Sequence, residues 1–505
     1  VRLIARRQGR ETDVDLVVRH PAATTTELRA ALERAGLDDL PGLGPASITD
    51  LDLRRGDLLG AARPAPTPTG PALAVVGGTS SGVLVPFPPG RLTVGRDEAN
   101  DLVVDHDTVS GHHAAFTRGP DGRITVEDLG SRNGTWMGDE AVLVTRVIAP
   151  GDVVRLGATL VAVVDLPADE GPAHAQRPTE GGTVTVHRPP RAAPPGEATP
   201  IRLPGADQRP PSRTPFSITA VIAPLLLAGV LVLVLGSFRY AIFALLSPVM
   251  AIGSWWESNR RSRRQGRHGS ASRKQELRDL AVAVGLARDH EVRRRHAVAP
   301  WPPEARRRAE RPSTRLWERR PGQPDHGVVH LGTATVPWSP PVDGEPADDV
   351  VEVLGAEPLV DVPVPLDLVP GQVLGIAGDA SIGASVARSL VLQLATHTGP
   401  ADLRVDAPWP DLAWLPHDRL DAPTSVVVID DVTEVQGTRG ARLTAAGTAA
   451  VVLAPTTSAL PAVCTTVVEL DGADGLARLT RPGVPGDEPV PLLVAGVDAG
   501  TARDW

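Results

Sequence analysis

The sequence predicts a multidomain chain. A small α+β unit, an antiparallel β-sandwich, a two-helix membrane hairpin and a parallel α/β domain follow one another along 505 residues. Three observations carry that prediction. Between residues 71 and 166, short apolar runs recur with turns between them, the pattern of a sandwich. Between residues 217 and 256 the only charged side chain is Arg239. From residue 312 onward, apolar strand-like runs alternate with helical ones, as in a sheet covered by helices.

Composition bounds the rest. Length over about 150 residues per domain gives a prior of roughly three domains. A net charge of −9 argues against a dominant nucleic-acid role, so no nucleic-acid partner is expected. Cys464 is the only cysteine, which leaves no intrachain disulfide framework. Lys274 is the only lysine. The opening residues carry no signal-peptide pattern.

Residues 1–62 read as strand, strand, helix, strand. Apolar–polar alternation places strands at 1–5 and 13–18. Thr24 or Thr25 caps a helix over 26–35, Gly36 stops it, and 52–59 returns as a strand. This order resembles a ubiquitin-like β-grasp module. A Pro-rich spacer follows to residue 71.

Within 71–166, strands are predicted at 72–76, 82–86, 91–94, 102–104, 113–117, 125–128, 153–156 and 159–164. Four motifs stand out: Gly95–Arg96; Ser110-Gly111-His112-His113; Asp128-Leu129-Gly130-Ser131-Arg132-Asn133-Gly134-Thr135; and Gly151–Asp152. In order and spacing they resemble the forkhead-associated (FHA) domain. The resemblance implies a phosphothreonine-containing protein as partner, bound by Arg96, Ser110, Ser131, Arg132 and Asn133. It implies a structural framework of Gly95, His113 and Gly134. A doubly charged phosphate needs fixed donors, which an arginine fork and a serine hydroxyl supply. Two departures bear on peptide specificity: Gly138 stands where many members have a second Asn, and Gly111 where some have a polar side chain.

Residues 167–215 form a Pro-rich linker containing a Thr183-to-Arg191 segment with Pro189 and Pro190. Residues 216–256 are expected to be two membrane helices joined at Gly236 to Arg239, because a bilayer core needs about 20 apolar residues per helix. Arginines on both flanks predict that both termini are cytosolic and the protein multi-pass. Residues 257–311 read as a basic helical stalk, either a plain topology determinant or a contact for membrane lipid.

In 312–505, Arg315-Leu316-Trp317-Glu318-Arg319-Arg320-Pro321 opens an α/β domain. Gly378, Gly383 and Ser385 have phosphate-loop spacing, with Ala384 where the lysine belongs, and Asp430 ends an apolar strand. The domain reads as a degenerate P-loop (RecA-like) fold. Weak ATP or Mg²⁺ binding at these four residues is the only cofactor chemistry in view; no catalytic residue and no metal site is assigned. The order of parts resembles the N-terminal half of EssC/EccC-type FtsK/SpoIIIE proteins of type VII secretion. That implies a non-hydrolytic scaffold with secretion motor or substrate proteins as partners. The alternatives are a stand-alone membrane phospho-dependent adaptor in a Ser/Thr kinase pathway and, third, an active DNA-translocating ATPase.

Overall fold

The computed structural model describes residues 2–7, 10–15, 24–34, 70–166, 191, 193–205, single helical positions between 222 and 234, 241–310, 314–435, 437–472, 474–482, 484 and 488–505. Contacts divide the chain into two units. The first is residues 1–196, 292–336 and 359–505; the second is residues 197–291 and 337–358.

The first unit opens with an antiparallel pair, β1 (Arg2–Arg7) and β2 (Arg10–Asp15), and α1 (Thr25–Arg34). Thr24 starts the helix through a reciprocal cap: its hydroxyl accepts from the Glu27 amide at 3.3 Å, and its own amide donates to the Glu27 carboxylate at 2.8 Å. The strand expected at 52–59, most of the spacer and the linker up to 190 lie outside the described residues.

The sandwich has two sheets. One contains β3 (Gly70–Gly77), β4 (Leu84–Pro86), β9 (Thr135–Met137), β10 (Glu140–Ala141), β12 (Val153–Leu156) and β13 (Thr159–Leu166), in the order β10-β9-β12-β13-β3-β4. The other contains β5 (Gly90–Gly95), β6 (Leu102–Val103), β7 (Ala114–Arg118), β8 (Ile124–Asp128) and β11 (Arg146–Ile148), in the order β11-β8-β7-β5-β6. Alternate residues fill the space between them, with Leu73, Phe87, Phe116, Val126, Leu156 and Val161 almost fully buried. Each such side chain contributes about 1.5–3 kcal/mol. The short strands β9, β10 and β11 were not among those predicted.

The outer face of the six-stranded sheet is buried too. Ala72, Ala74, Val76, Ala162 and Val164 pack with Trp301 and Leu493. At the end of β3 the sandwich joins the α/β domain through backbone hydrogen bonds. Gly78 N donates to Val494 O, Gly496 N donates to Gly78 O and Ser81 N donates to Gly496 O, all at 2.7 Å. Gly78 has φ +102°, and a Cβ there would stand 2.9 Å from Ala158 O, so only glycine makes this junction.

The α/β domain is built on a nine-stranded sheet. Its parallel part is β18 (Val373–Ala377), β19 (Leu403–Asp406), β20 (Thr424–Ile429), β21 (Thr448–Ala454) and β22 (Thr466–Asp471), in the order β22-β18-β21-β20-β19. β23 (Leu476–Thr480), β24 (Val490–Val494), β15 (Val328–Val336) and β17 (Leu359–Asp367) extend it antiparallel. The helix after β18 (Ala380–His397) lies in the core with Ile382, Val386, Leu390 and Leu394 buried.

A buried ion cluster ties the linker to this domain. Arg191 makes a two-pronged pair with Asp325 and reaches Glu318 at 3.4 Å. Arg319, 0% exposed, meets Asp325 at 3.4 Å and donates to Val298 O at 2.7 Å. Burial pushes its pKa down to about 10, so it stays charged at neutral pH. Burial would raise the Asp325 carboxyl, but the bond from Arg191 and the charge of Arg319 hold it below its usual range. Removing one partner of such a cluster costs about 3–5 kcal/mol because it strands a buried charge.

The second unit pairs β14 (Ile201–Arg202) with β16 (Val342–Asp343) in parallel. Arg273 grips Asp349, on the short helix α4 (Asp348–Leu354), with two bonds of 2.8 and 2.9 Å.

The membrane hairpin is a correction. Among the described residues no helix is long and apolar enough to cross a membrane. The second predicted span is the start of a 58-residue helix, α2 (Ala241–Val298), that runs on through the arginine cluster. Within it the longest charge-free run is residues 241–256, 16 residues. At about 1.5 Å per residue that is roughly 24 Å, short of a bilayer core of about 30 Å. The multi-pass placement falls with it. At the end of the basic stretch, Arg307 and Arg308 on α3 (Pro302–Glu310) are buried.

Buried histidines set the acid limit of the first unit. Burial lowers His330 to about 3 and His296 to about 4. His397 is driven well down by burial, then by Arg319, Arg308, Arg315 and Arg191. These folded-state values lie below the unfolded value of about 6.5, so the unfolded chain binds more protons below that pH. Stability is therefore full above about pH 6.5 and falls as pH drops toward 4, by about 1.4 kcal/mol per pH unit for each histidine. Denaturant midpoints measured between pH 8 and pH 4 should fall steeply only below pH 6.5; a flat profile would contradict the burial of these rings.

Candidate functional site

The site lies on loops at one end of the sandwich. Gly95 ends β5 against Gly111: a Cβ at 95 would stand 2.1 Å from Gly111 O, so the two segments touch only because residue 95 has no side chain. That contact aligns the backbone, and Arg96 N donates to Ser110 O at 2.9 Å. The Arg96 guanidinium, 45% exposed, rests on Asp107 at 3.0 Å.

His113 anchors the loops from beneath. It is fully buried; its Nδ1 accepts from Ser110 N at 3.1 Å, which places the proton on Nε2, facing Gly134 O at 3.2 Å. Burial lowers its pKa, so the neutral ring bridges two loops. The Ser110 hydroxyl oxygen accepts from Arg132 N at 3.0 Å, which leaves its hydrogen for a ligand. Asn133 donates its side-chain N–H to Thr108 O at 2.7 Å. Arg96, Ser110, Arg132 and Asn133 thus converge, with the Arg96 and Arg132 side chains exposed.

Ser131 is placed differently. Its hydroxyl donates to Asp128 at 2.6 Å, as does that of Thr135 at 2.6 Å, while the amides of Gly130 and Ser131 bond the same carboxylate at 2.8 and 2.9 Å. Burial works to raise Asp128, but these donors outweigh it and hold the carboxylate ionised. Ser131 therefore shapes the loop and does not point its hydroxyl at a phosphate.

One framework residue was missed from the sequence. Asn100 is 6% exposed; its side-chain N–H group donates to Asp97 O and Gly111 O at 2.7 Å, and its oxygen accepts from His112 Nδ1 at 2.9 Å. Its only sequence signal is an asparagine in the turn after Gly95–Arg96.

The model of the FHA domain family matches residues 92–157. An oxoglutarate dehydrogenase inhibitor from Corynebacterium diphtheriae is 37% identical over 75 residues, 15% of this chain and 51% of that protein. The protein of that name from Corynebacterium glutamicum is 34% identical over 103 residues, 20% of this chain and 71% of its own length. This chain belongs to the FHA-domain proteins. It spans about half the length of the first of these relatives. The solved FHA domain of the CT664 protein from Chlamydia trachomatis is 29% identical over 19% of this chain and 98% of its own, with a TM-score of 0.19.

The second predicted site lies outside the FHA domain. Gly378, Gly383 and Asp430 line one cavity of about 340 Å³, with Ala384 beside them. Ser385 is not in it: it is 5% exposed and its hydroxyl donates to Ile382 O at 2.8 Å. The spacing that resembles a phosphate loop is folded as α5 (Ala380–His397) from its second residue after Gly378 onward. Asp379 caps that helix, accepting from Ser381 N at 2.9 Å and Ile382 N at 3.1 Å. A carboxylate already sits on the amides that a phosphate would use.

Asn100→Ala removes two donated bonds, to Asp97 O and Gly111 O, and leaves Gly111 O with the Asp97 amide alone. The full chain is expected to lose about 1–3 kcal/mol in the denaturation of its FHA domain. Hydrogen exchange at the Gly111 loop reads this directly; unchanged protection there would show that Asn100 is not its anchor.

Proposed function

We propose that this chain binds phosphothreonine-containing proteins through the loop end of its FHA domain and acts as a non-hydrolytic signalling adaptor. FHA domains bind phosphothreonine-containing partners. The single observation that carries the reading is the convergence of Arg96, the free hydroxyl hydrogen of Ser110, and Asn133 on one rigid end of the sandwich. The phosphate displaces Asp107 from Arg96, since it brings close to two negative charges where the carboxylate brings one. Arg132, exposed on the neighbouring loop, adds a second cation. The inhibitor name of the corynebacterial relatives supports a regulatory role reached by binding.

A second, finer reading makes the adaptor part of an EssC/EccC-like type VII secretion machine. It is favoured by the pairing of Arg191 with Glu318 and Asp325, which joins the two segments outside the FHA domain that resemble those proteins.

Phosphothreonine peptides titrated against the full chain should bind, and Arg96→Ala should weaken them by about 10–150-fold, the loss of a charged hydrogen bond worth roughly 1.5–3 kcal/mol. Equal binding by the variant, or by unphosphorylated peptides, would refute the reading.

The α/β domain is expected to turn over no ATP. Ala384 removes the charge that a phosphate loop places at the transferred group, and Asp379 occupies the helix amides. Ala384→Lys alone should not restore turnover. ATP hydrolysis by the parent chain that disappears in Asp430→Asn would restore the motor alternative.

A further inference from the structure

Resting on the phosphopeptide reading, we propose that the residues flanking the phosphothreonine are read in a cleft shared by the FHA domain and the α/β domain, and that this cleft selects a basic side chain. The loop 105–108 has two faces. Asp107 holds Arg96 and Thr108 O holds Asn133, so one face belongs to the phosphate site. Asp105 and His106 line a cleft of about 620 Å³ whose opposite wall carries Ser381, Arg388 and Asp498. That volume is within the range of about 300–1,000 Å³ typical of ligand sites.

The two walls are fixed relative to each other. The bonds of Gly78 and Ser81 with Val494 and Gly496 stand next to Ser80, which also lines the cleft, and to Asp498 on the other wall. The 105–108 loop is equally fixed, with the Thr108 hydroxyl 2.8 Å from His106 Nδ1 and accepting from Ala158 N at 2.8 Å. An extended peptide advances about 3.3 Å per residue, so a phosphothreonine on Arg96 lays its neighbours over this loop toward the cleft within a few residues.

Charge sets the preference. Among the described residues the one guanidinium in the lining, Arg388, is matched by Asp411 at 2.5 Å and lies over the Trp409 ring, 4.7 Å from its centre. Asp105 and Asp498 then leave the cleft net acidic. Asp498 accepts from Thr501 N at 2.9 Å and from its hydroxyl at 2.8 Å, but a carboxylate has lone pairs to spare for a cation.

The test is a phosphothreonine peptide array with degenerate flanks, bound to the full chain and to Asp105→Asn, Asp105→Glu and Asp498→Asn. Asparagine keeps the helix-capping role of residue 498 while removing its charge. The parent should enrich Arg or Lys at one flank position. Each Asn variant should lose that enrichment by up to about five-fold, and Asp105→Glu should keep it. Peptides that bind the parent with no basic preference, or with a preference unchanged in both Asn variants, would overturn this inference alone. An array in which no phosphothreonine peptide binds the parent would overturn the phosphopeptide reading as well.

Discussion

The exchange of backbone hydrogen bonds between Gly78 and the segment 494–496 is the constraint from which the rest of the first unit follows. Three short bonds at the end of β3 are individually modest, about 0.5–1.5 kcal/mol each. They act together with the seating of Trp301 and Leu493 on the alanine-lined face of the six-stranded sheet. Once β3 is held there, the five-stranded sheet packed on Leu73 and Val75 carries the loops to a defined place beside the start of α5. A side chain at residue 78 would meet the Ala158 carbonyl, so the join tolerates one residue type.

The phosphate site shows a division of labour. His113, Asn100 and Asp128 spend their hydrogen-bonding capacity on backbone and loop hydroxyls. Arg96 and Arg132 are left at the surface with their charges exposed. A ligand then meets donors whose positions are set before it arrives, which lowers the ordering cost of binding. In the α/β domain the same kind of group acts in the opposite sense. Asp379 satisfies the amides of α5 from within, so that helix end is closed to an anion.

How much of this was legible in the sequence depended on what fixed each element. The sandwich was readable because its strands alternate strongly and its loops carry residue types with narrow uses, such as Gly95 and His113. Strands β9 to β11 escaped because two- or three-residue strands have no period to detect, and the Asp128-centred turn that aims the chain into β9 depends on contacts between side chains. Ser131 was expected to face a ligand, yet a carboxylate three residues earlier claims its hydroxyl. The phosphate-loop spacing gave no sign that Asp379 would cap the helix that follows Gly378. The membrane hairpin misled because the run ending at Trp256 was counted as a span of its own, whereas in the structure it continues without a break into the arginine-rich part of one long helix. Arg191 gave no sign, at a distance of more than a hundred residues, that it would close on Asp325.

The alanines on the outer face of the FHA domain have a consequence for where this domain can be cut. In most settings a sandwich of this size would turn a polar surface outward. Here Ala72, Ala74, Val76, Ala162 and Val164 are buried under a tryptophan that enters from residue 301, far along the chain. Excised at residues 71–166, the sandwich would present that strip to water as one contiguous apolar patch. Solubility, more than fold, is then what would fail in the fragment. The sequence that keeps the domain soluble lies more than a hundred residues beyond its last strand.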